Sequence, residues 1–537
     1  LSNLSWYVRV PLAVASGAAL ALSFPNYNLS LLAWAAVGLL ILASIGARPR
    51  AGGLYGFLHG VVFYPLSVPW IDTVMHQYGS VDAITSAAIL ALLSVSFAVF
   101  PALFGWAIAF VSIQLPTGKN WLLACWLAPF LWVALEFART YLILGGFPWN
   151  LTGYAPSGSL GMLQLAALTG VYGLSFVVAA WSSLVVYAIL SGRQRVWKAA
   201  LLATGALVLW GVGGKYVVPV TAPHQVAHLV QTNFAQSEQY PANWMEIHAG
   251  DMDQLERVSV GAAQDKPARP ALIVWPEVPA PFSMQDPAFA QRATKIARES
   301  ASDFLVGIVD WKRDGQGHWL ASNTAILLNP LGLRVFTYDK IHLVPFGEFV
   351  PYRRWLRFAG RLTADIADFT PGAEFRVGKL PNGSFGVFIC YEAIFPDEVR
   401  QFTRSGAQLL INLSNDGWFG RSAAPAQHLA MARLRAVENR RWLLRDTNNG
   451  FTASVDPYGR IVAELPTDVR GELDAPYDFR SGLTLYTRFG DWFAWLCVIA
   501  SLLVLAAAFS QRQRGSQGKG LGPPGDPGTS VNRENHD

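Results

Sequence analysis

The sequence predicts an α-helical membrane bundle of about eight transmembrane helices joined, outside the bilayer, to one α/β domain or a layered α-β-β-α sandwich. Three observations predict it. The 537 residues are 52% hydrophobic and only 14% charged, where a soluble domain has about 25% charged residues, and the mean hydropathy is +0.29. Long apolar segments gather in the first 215 residues and return once near the end. Between them, strand-like and helix-like runs are mixed over residues 216–488. The formal charge of +5 is small for this length and gives no reason to expect a nucleic-acid partner. Only Cys125, Cys390 and Cys497 are present, the first and last inside apolar runs, so a disulfide framework is not expected.

Apolar spans are read at about 8–23, 29–46, 53–75, 84–112, 121–144, 161–190 and 199–215, with an eighth at 489–510. Several reach the roughly 20 residues a helix needs to cross a bilayer. The first two are short and read as a tight hairpin. Basic residues then set the orientation. Arg48 and Arg50, Lys119, and Arg193, Arg195 and Lys198 follow spans two, four and six; Arg512, Arg514 and Lys519 follow span eight. The alternate loops, 23–28, 76–82 and 145–160, carry no Lys or Arg. The positive-inside rule therefore puts both termini in the cytoplasm and the segment 216–488 outside, in the periplasm of a Gram-negative cell. The resulting division is 1–215 for spans one to seven, 216–488 for the outer domain, 489–510 for span eight and 511–537 for a disordered tail. That tail has too little apolar content to fold.

Glu136 and Arg139 in span five are three apart, share a helix face and are expected to pair; a functional role is the competing reading for intramembrane charges. The uncharged loop 145–158 lies on the side of the outer domain and is expected to form the floor of its cleft.

In the outer domain, strands are expected at 226–230, 271–275, 304–309, 324–328, 334–338, 385–389, 408–413, 442–446 and 451–455. Helices are expected at 244–261, 287–302, 394–405 and 425–440. Three of the strands run straight into reactive residues: 271–275 into Pro276 and Glu277, 334–338 into Asp339 and Lys340, and 385–389 into Cys390. Residues at strand ends can converge on one point. A free thiol is only a few per cent thiolate at neutral pH, so a nucleophilic cysteine needs help. A carboxylate can take its proton, and an ammonium can lower its pKa and later stabilise an oxyanion.

These residues carry a resemblance. WPE at 275–277, YDKIHLVPFGE at 338–348 and the Cys390-Tyr391-Glu392 corner resemble the Glu-Lys-Cys triad of the nitrilase, or carbon–nitrogen hydrolase, superfamily, in the same chain order. LINLSNDGWFG at 410–420, HLAMARLRAVENRR at 428–441, DTNNG at 446–450 and the multi-span N-terminus narrow it to the apolipoprotein N-acyltransferase family, over essentially all of residues 1–510.

The resemblance implies a nitrilase-like domain and acyl transfer in two steps. Cys390 attacks the sn-1 ester of a phospholipid, typically phosphatidylethanolamine, to give a thioester; the amine of an S-diacylglyceryl-cysteine at a lipoprotein N-terminus then takes the acyl chain. Glu277 is the implied general base, Lys340 the charge stabiliser and Glu348 the residue that orients the lysine. Tyr391 and Glu392 match motif positions beside the nucleophile. Family members carry a tryptophan after the first domain strand, a place taken here by Tyr240 with Trp244 close by. These two, with Trp418 and Phe419, are the candidate substrate-binding aromatics. No metal, nucleotide or other cofactor is implied, and the partners are phospholipid, diacylated apolipoprotein and the inner membrane, with the chain acting as a monomer. The segment 351–361 interleaves four arginines with Trp355, Leu356 and Phe358, which suits the headgroup level of a bilayer, or equally an amphipathic helix packed on the domain. Two other functions stay open on the residues alone: a membrane-tethered carbon–nitrogen hydrolase acting on small amides, and a transporter or scaffold whose sheet domain only binds.

Overall fold

The computed structural model describes residues 4–25, 27–79, 81–113, 119–143, 145–236, 240–264, 271–350 and 369–518. The segment 351–361 lies outside them. The apolar N-terminal region folds into helices α1 (Trp6–Leu22), α2 (Leu31–Ser44), α3 (Pro49–Ser67), α4 (Trp70–Gln77), α5 (Ala83–Phe97), α6 (Val99–Ile113), α7 (Lys119–Tyr141), α8 (Leu160–Leu163), α9 (Ala166–Thr169), α10 (Val171–Ser191) and α11 (Gln194–Val217). Among the described residues five helical stretches are long and apolar enough to cross a membrane: α5 with α6, α7, α10, α11 and, near the C-terminus, α18 (Trp492–Gly518).

The span boundaries differ from expectation where the backbone breaks. The span expected at 53–75 is two helices, α3 and α4, bent by 52°, with Pro65 and Pro69 at the break. The two count as a sixth span if taken together. The span expected at 161–190 begins as two single turns, α8 and α9, and becomes a continuous helix only after Gly170, whose φ of 65° no helix accommodates. Helix α18 runs into the segment expected to be a disordered tail, because nothing from Gln511 to Gly518 is a proline to stop it.

The remaining chain is an α/β domain with α12 (Trp244–Ile247), α13 (Ala249–Gln264), α14 (Pro287–Ser300), α15 (Pro396–Arg404), α16 (Ala424–Asn439) and α17 (Leu485–Phe489). Its strands are β1 (Gln225–Gln231), β2 (Leu272–Val274), β3 (Asp303–Arg313), β4 (Trp319–Leu328), β5 (Arg334–Asp339), β6 (Val377–Leu380), β7 (Gly383–Ile389), β8 (Leu409–Ser414), β9 (Leu443–Thr447), β10 (Thr452–Val455), β11 (Ile461–Leu465) and β12 (Gly471–Tyr477). They form two six-stranded sheets, ordered β12-β1-β2-β3-β4-β5 and β11-β10-β9-β8-β7-β6. One buried cluster takes Leu229, Val274, Leu305 and Leu327 from the first sheet and Phe385, Val387, Ile411 and Leu443 from the second, so the sheets face each other. Phe289, Ala293 and Ile296 of α14 cover the outer face of the first sheet, while α15 and α16 lie against the second. The nitrilase-like α-β-β-α layering follows.

Each sheet has a parallel centre, β1-β2-β3 in one and β7-β8-β9 in the other. Parallel strands need helical crossovers and point their carboxyl ends the same way, where open sheets place ligands. The strands not expected from sequence are β6, β11 and β12, and all three are sheet edges. An edge strand is covered on fewer sides, so its apolar run is short: β11 is largely exposed, and β12 alternates and holds Pro476.

Candidate active site

Cys390 stands where β7 ends. The last six residues of that strand are buried, which fixes the corner rigidly. The nucleophile candidate itself has φ 47° and opens a short 3₁₀ turn, Cys390–Ile394. The helix expected to begin near Ile394 begins instead at Pro396, since proline at a first helical position needs no N–H partner. A non-glycine residue in the left-handed region costs about 1–3 kcal/mol and persists only where its surroundings hold it.

Glu277 follows β2 and Lys340 follows β5, and the structure brings them together. Lys340 Nζ lies 3.1 Å from Glu277 Oε1 and 2.9 Å from Glu348 Oε1. Asn323, on β4, reaches the same two oxygens: its Nδ2 donates to each at 2.8 Å. The second oxygens are held by backbone, Glu277 Oε2 by the Asn415 N–H at 2.9 Å and Glu348 Oε2 by the Val344 N–H at 2.8 Å. The loop bearing Glu277 crosses β3 at Gly307, where a Cβ would stand 2.7 Å from Glu277 Cα; only glycine fits there. Burial disfavours the Lys340 ammonium, but Glu277 and Glu348 outweigh it and raise its pKa well above the ordinary value. The lysine is a fixed positive charge. Burial, and next the Glu277 carboxylate, push the Cys390 thiol up, while Lys340 and Ser414 pull the other way. Burial thus favours the neutral thiol, and Glu277 is the carboxylate whose charge it feels most strongly.

Glu392 ties the Cys390 turn to the lysine strand. Its Oε1 accepts from Tyr338 Oη at 2.7 Å and from the N–H groups of Ile341 at 2.7 Å and His342 at 3.2 Å; its Oε2 accepts from the Ile389 N–H at 2.6 Å. The residues flanking Lys340 and Cys390 thus hang on one carboxylate. Burial and the nearby Glu398 raise its pKa to about 7 despite these donors. Tyr391 is buried against Phe395 at 5.3 Å and His342 at 5.7 Å. With Ile394 and Phe395 it belongs to the same hydrophobic cluster as the membrane helices.

The four candidate aromatics fall into two pairs. Trp244 is packed under the outer helical layer with Phe234, His248 and Phe282, and Tyr240 meets its edge at 6.3 Å. Trp418 and Phe419 lie on the seam between the regions: Trp418 meets Tyr78, and Phe419 meets Trp70 and Trp149. Nor do Glu136 and Arg139 pair as expected. Glu136 Oε1 accepts the Thr152 N–H at 2.7 Å, Arg139 donates to Trp149 O at 3.1 Å, and Glu136 Oε2 has no partner. Both charges hold the outer loop, whose backbone groups offer nearer partners than the next helical turn.

Asn323, Asn415 and His428 were not singled out from sequence. Asn323 had a signal: Ser322-Asn323-Thr324 are polar residues opening an apolar strand, and all three are buried. A buried polar group inside a strand needs a partner. His428 Nε2 donates to Cys390 O at 3.0 Å, and its Nδ1 side faces Asp416 Oδ1 at 3.0 Å. Burial opposes ionisation of Asp416, but Arg445 and His428 hold its carboxyl well below the usual range.

Comparison with known proteins agrees with this architecture. Residues 16–184 match the apolipoprotein N-acyltransferase N-terminal domain, and residues 228–480 match the carbon-nitrogen hydrolase family. The apolipoprotein N-acyltransferase of Geobacter metallireducens is 37% identical over 93% of this chain and 95% of its own length. That of Methylococcus capsulatus is 33% identical over 90% and 92%. Among solved structures, Saccharomyces cerevisiae Nit3, of branch 10 of the nitrilase superfamily, aligns with 48% of this chain and 91% of its own at 20% identity and a TM-score of 0.36. With identity above 30% over nearly the whole of both chains, this protein belongs to the apolipoprotein N-acyltransferase family.

Proposed function

We propose that the chain takes an acyl group from the sn-1 ester of a phospholipid such as phosphatidylethanolamine and passes it, through a Cys390 thioester, to the α-amine of a diacylated lipoprotein. Glu277 removes the thiol proton as Sγ attacks the ester carbonyl. Lys340 stabilises the oxyanion, with Glu348 and Asn323 holding it and Glu277 in register. Collapse breaks the ester C–O bond, and the lysophospholipid leaves with the proton from Glu277. The lipoprotein amine then attacks the thioester and gives a proton to Glu277, the C–S bond breaks, and that proton returns to sulfur.

The observation that carries this reading is the place of the Cys390 turn. It adjoins a buried carboxylate–ammonium pair, and its Tyr391, Ile394 and Phe395 pack into the core of the membrane helices. A thiol so placed is suited to substrates that live in the bilayer. The alternation of basic and uncharged loops supports a periplasmic α/β domain on an inner-membrane protein.

Intact-protein mass spectrometry after phospholipid alone tests it. One added acyl mass, removed by neutral hydroxylamine and accompanied by lysophospholipid, is expected. A diacylated lipopeptide with a free amine should discharge it, and one with an acetylated amine should not. An adduct that water clears as fast as the lipopeptide does points instead to a membrane-tethered hydrolase.

A further inference from the structure

Helix α16 begins with two neighbouring polar side chains, both almost fully buried and engaged with different parts of the molecule. Gln427 uses both ends of its amide twice. Its Nε2 donates to Pro25 O at 2.7 Å and Ser67 O at 3.0 Å; its Oε1 accepts from Trp149 Nε1 at 2.7 Å and Trp70 Nε1 at 3.3 Å. Carbonyls only accept and indole N–H groups only donate, so these partners fix which end of the amide is which. All four belong to the membrane-helix region: the α1–α2 turn, the end of α3, the start of α4 and the loop after α7.

His428 faces the α/β domain. Its Nε2–H reaches the carbonyl of Cys390, and the ring is walled by Trp149 at 5.7 Å and Phe419 at 6.0 Å. Behind it, Arg445 donates to Asp416 Oδ2 at 2.7 Å, and Asp416 faces Nδ1. Trp149 therefore touches both residues, one by hydrogen bond and one by ring contact. The carbonyl so held belongs to the residue with φ 47°.

We propose that Gln427 and His428 form a positioning couple through which the membrane helices fix the backbone of the nucleophile turn. The orientation of Cys390 for attack then depends on how the α/β domain is seated on the helices. This inference rests on Cys390 being the nucleophile. Both side chains spend their hydrogen bonds on protein groups. An amide with four buried partners on four segments cannot shift without orphaning one of them, and any shift of Gln427 is passed to the adjacent residue of the same helix. Small displacements of a reacting group are costly: about 1 Å can cost about 10²-fold in rate.

The test uses the full chain in detergent and measures single-turnover acylation by phospholipid, normalised to folded protein. Gln427→Leu and His428→Leu should each lower the saturating rate by about tenfold or more at a phospholipid KM within about twofold of wild type. If both act through one chain of contacts, the double variant should be no slower than the slower single variant. Losses that multiply, or a wild-type rate in either single variant, overturn the couple. Should a leucine variant fail to fold, Trp149→Phe deletes one donor to Gln427 and keeps the ring. A slower saturating rate at unchanged KM supports the couple, and a wild-type rate refutes it. Wild-type protein that forms no acyl adduct refutes the covalent route itself, an outcome distinct from wild type and variants acylating alike.

Discussion

Replacing Asn323 with leucine tests whether the two carboxylates need their second donor. The Asn323 amide and the Lys340 ammonium sit on the same two oxygens, Glu277 Oε1 and Glu348 Oε1, at 2.8, 2.8, 3.1 and 2.9 Å. The four contacts close a square in which donors and acceptors alternate. Leucine keeps the branched shape, with bulkier methyl groups, and removes two hydrogen bonds to charged groups, worth about 1.5–3 kcal/mol each. The gross loss is about 3–6 kcal/mol, but Lys340 still bridges both oxygens and recovers part of it. A net loss of about 3 kcal/mol, felt in the aim of Glu277 at the thiol, corresponds to about 10²-fold in acylation rate. Rapid-quench acylation by phospholipid, read by intact mass, measures it directly. Asn323→Asp is the sharper companion. It sets a third carboxyl beside the other two, and like charges so close cannot all ionise, so its activity should recover as pH falls. An Asn323→Leu rate within about threefold of wild type, or an Asn323→Asp variant at full rate in mild alkali, refutes the square.

Cys390→Ala, Glu277→Gln and Lys340→Ala should each abolish acyl transfer in protein that still folds, whereas Cys125→Ala and Cys497→Ala, both in apolar helices, should transfer at nearly the wild-type rate. Glu392 predicts a pH signature. Its folded pKa, raised to about 7 from 4.5, favours the protonated folded state, so its contribution to stability is full below pH 4.5 and is lost as pH rises through 7. The total is about 3 kcal/mol. The difference in melting temperature between wild type and Glu392→Gln should therefore change between pH 5 and 8, and a constant difference would sink the assignment. An alkaline phosphatase fusion after residue 220 should be active and one after residue 515 inactive; the reverse pattern would place the α/β domain in the cytoplasm.

Burial on two sides made most of the strands legible in the sequence, and of the four edge strands only β5 was read. β7 and β8 lie inside a sheet that is itself inside the sandwich, so they read as unbroken apolar runs. The strands that escaped notice, β6, β11 and β12, are edges whose pairing is decided by neighbours far away in the chain. Apolar length likewise marked the membrane segments but not their breaks. The bend between α3 and α4, and the break at Gly170, depend on two prolines and one glycine whose effect hydropathy averages away.

The site divides along a similar line. Glu277, Lys340 and Cys390 announce themselves because each is a reactive residue at the end of an apolar strand, a local pattern. Asn323 and Glu392 work by bridging segments that only the folded sheets bring together, and no spacing in the chain encodes that. Glu136 and Arg139 show the converse. Three residues apart on one helix, they have the spacing of a pair, yet the loop after α7 supplies a backbone N–H to one and a carbonyl to the other. A helix presents a side chain to its own next turn and to whatever packs across from it, and spacing describes only the first. Here the second prevails, because the loop's buried backbone groups must be satisfied somewhere, and intramembrane charges are strong partners for them. That same loop carries Trp149 to Gln427 and to the ring of His428. Two charges that read as an ion pair are thus the footing of the loop that meets the backbone support of Cys390.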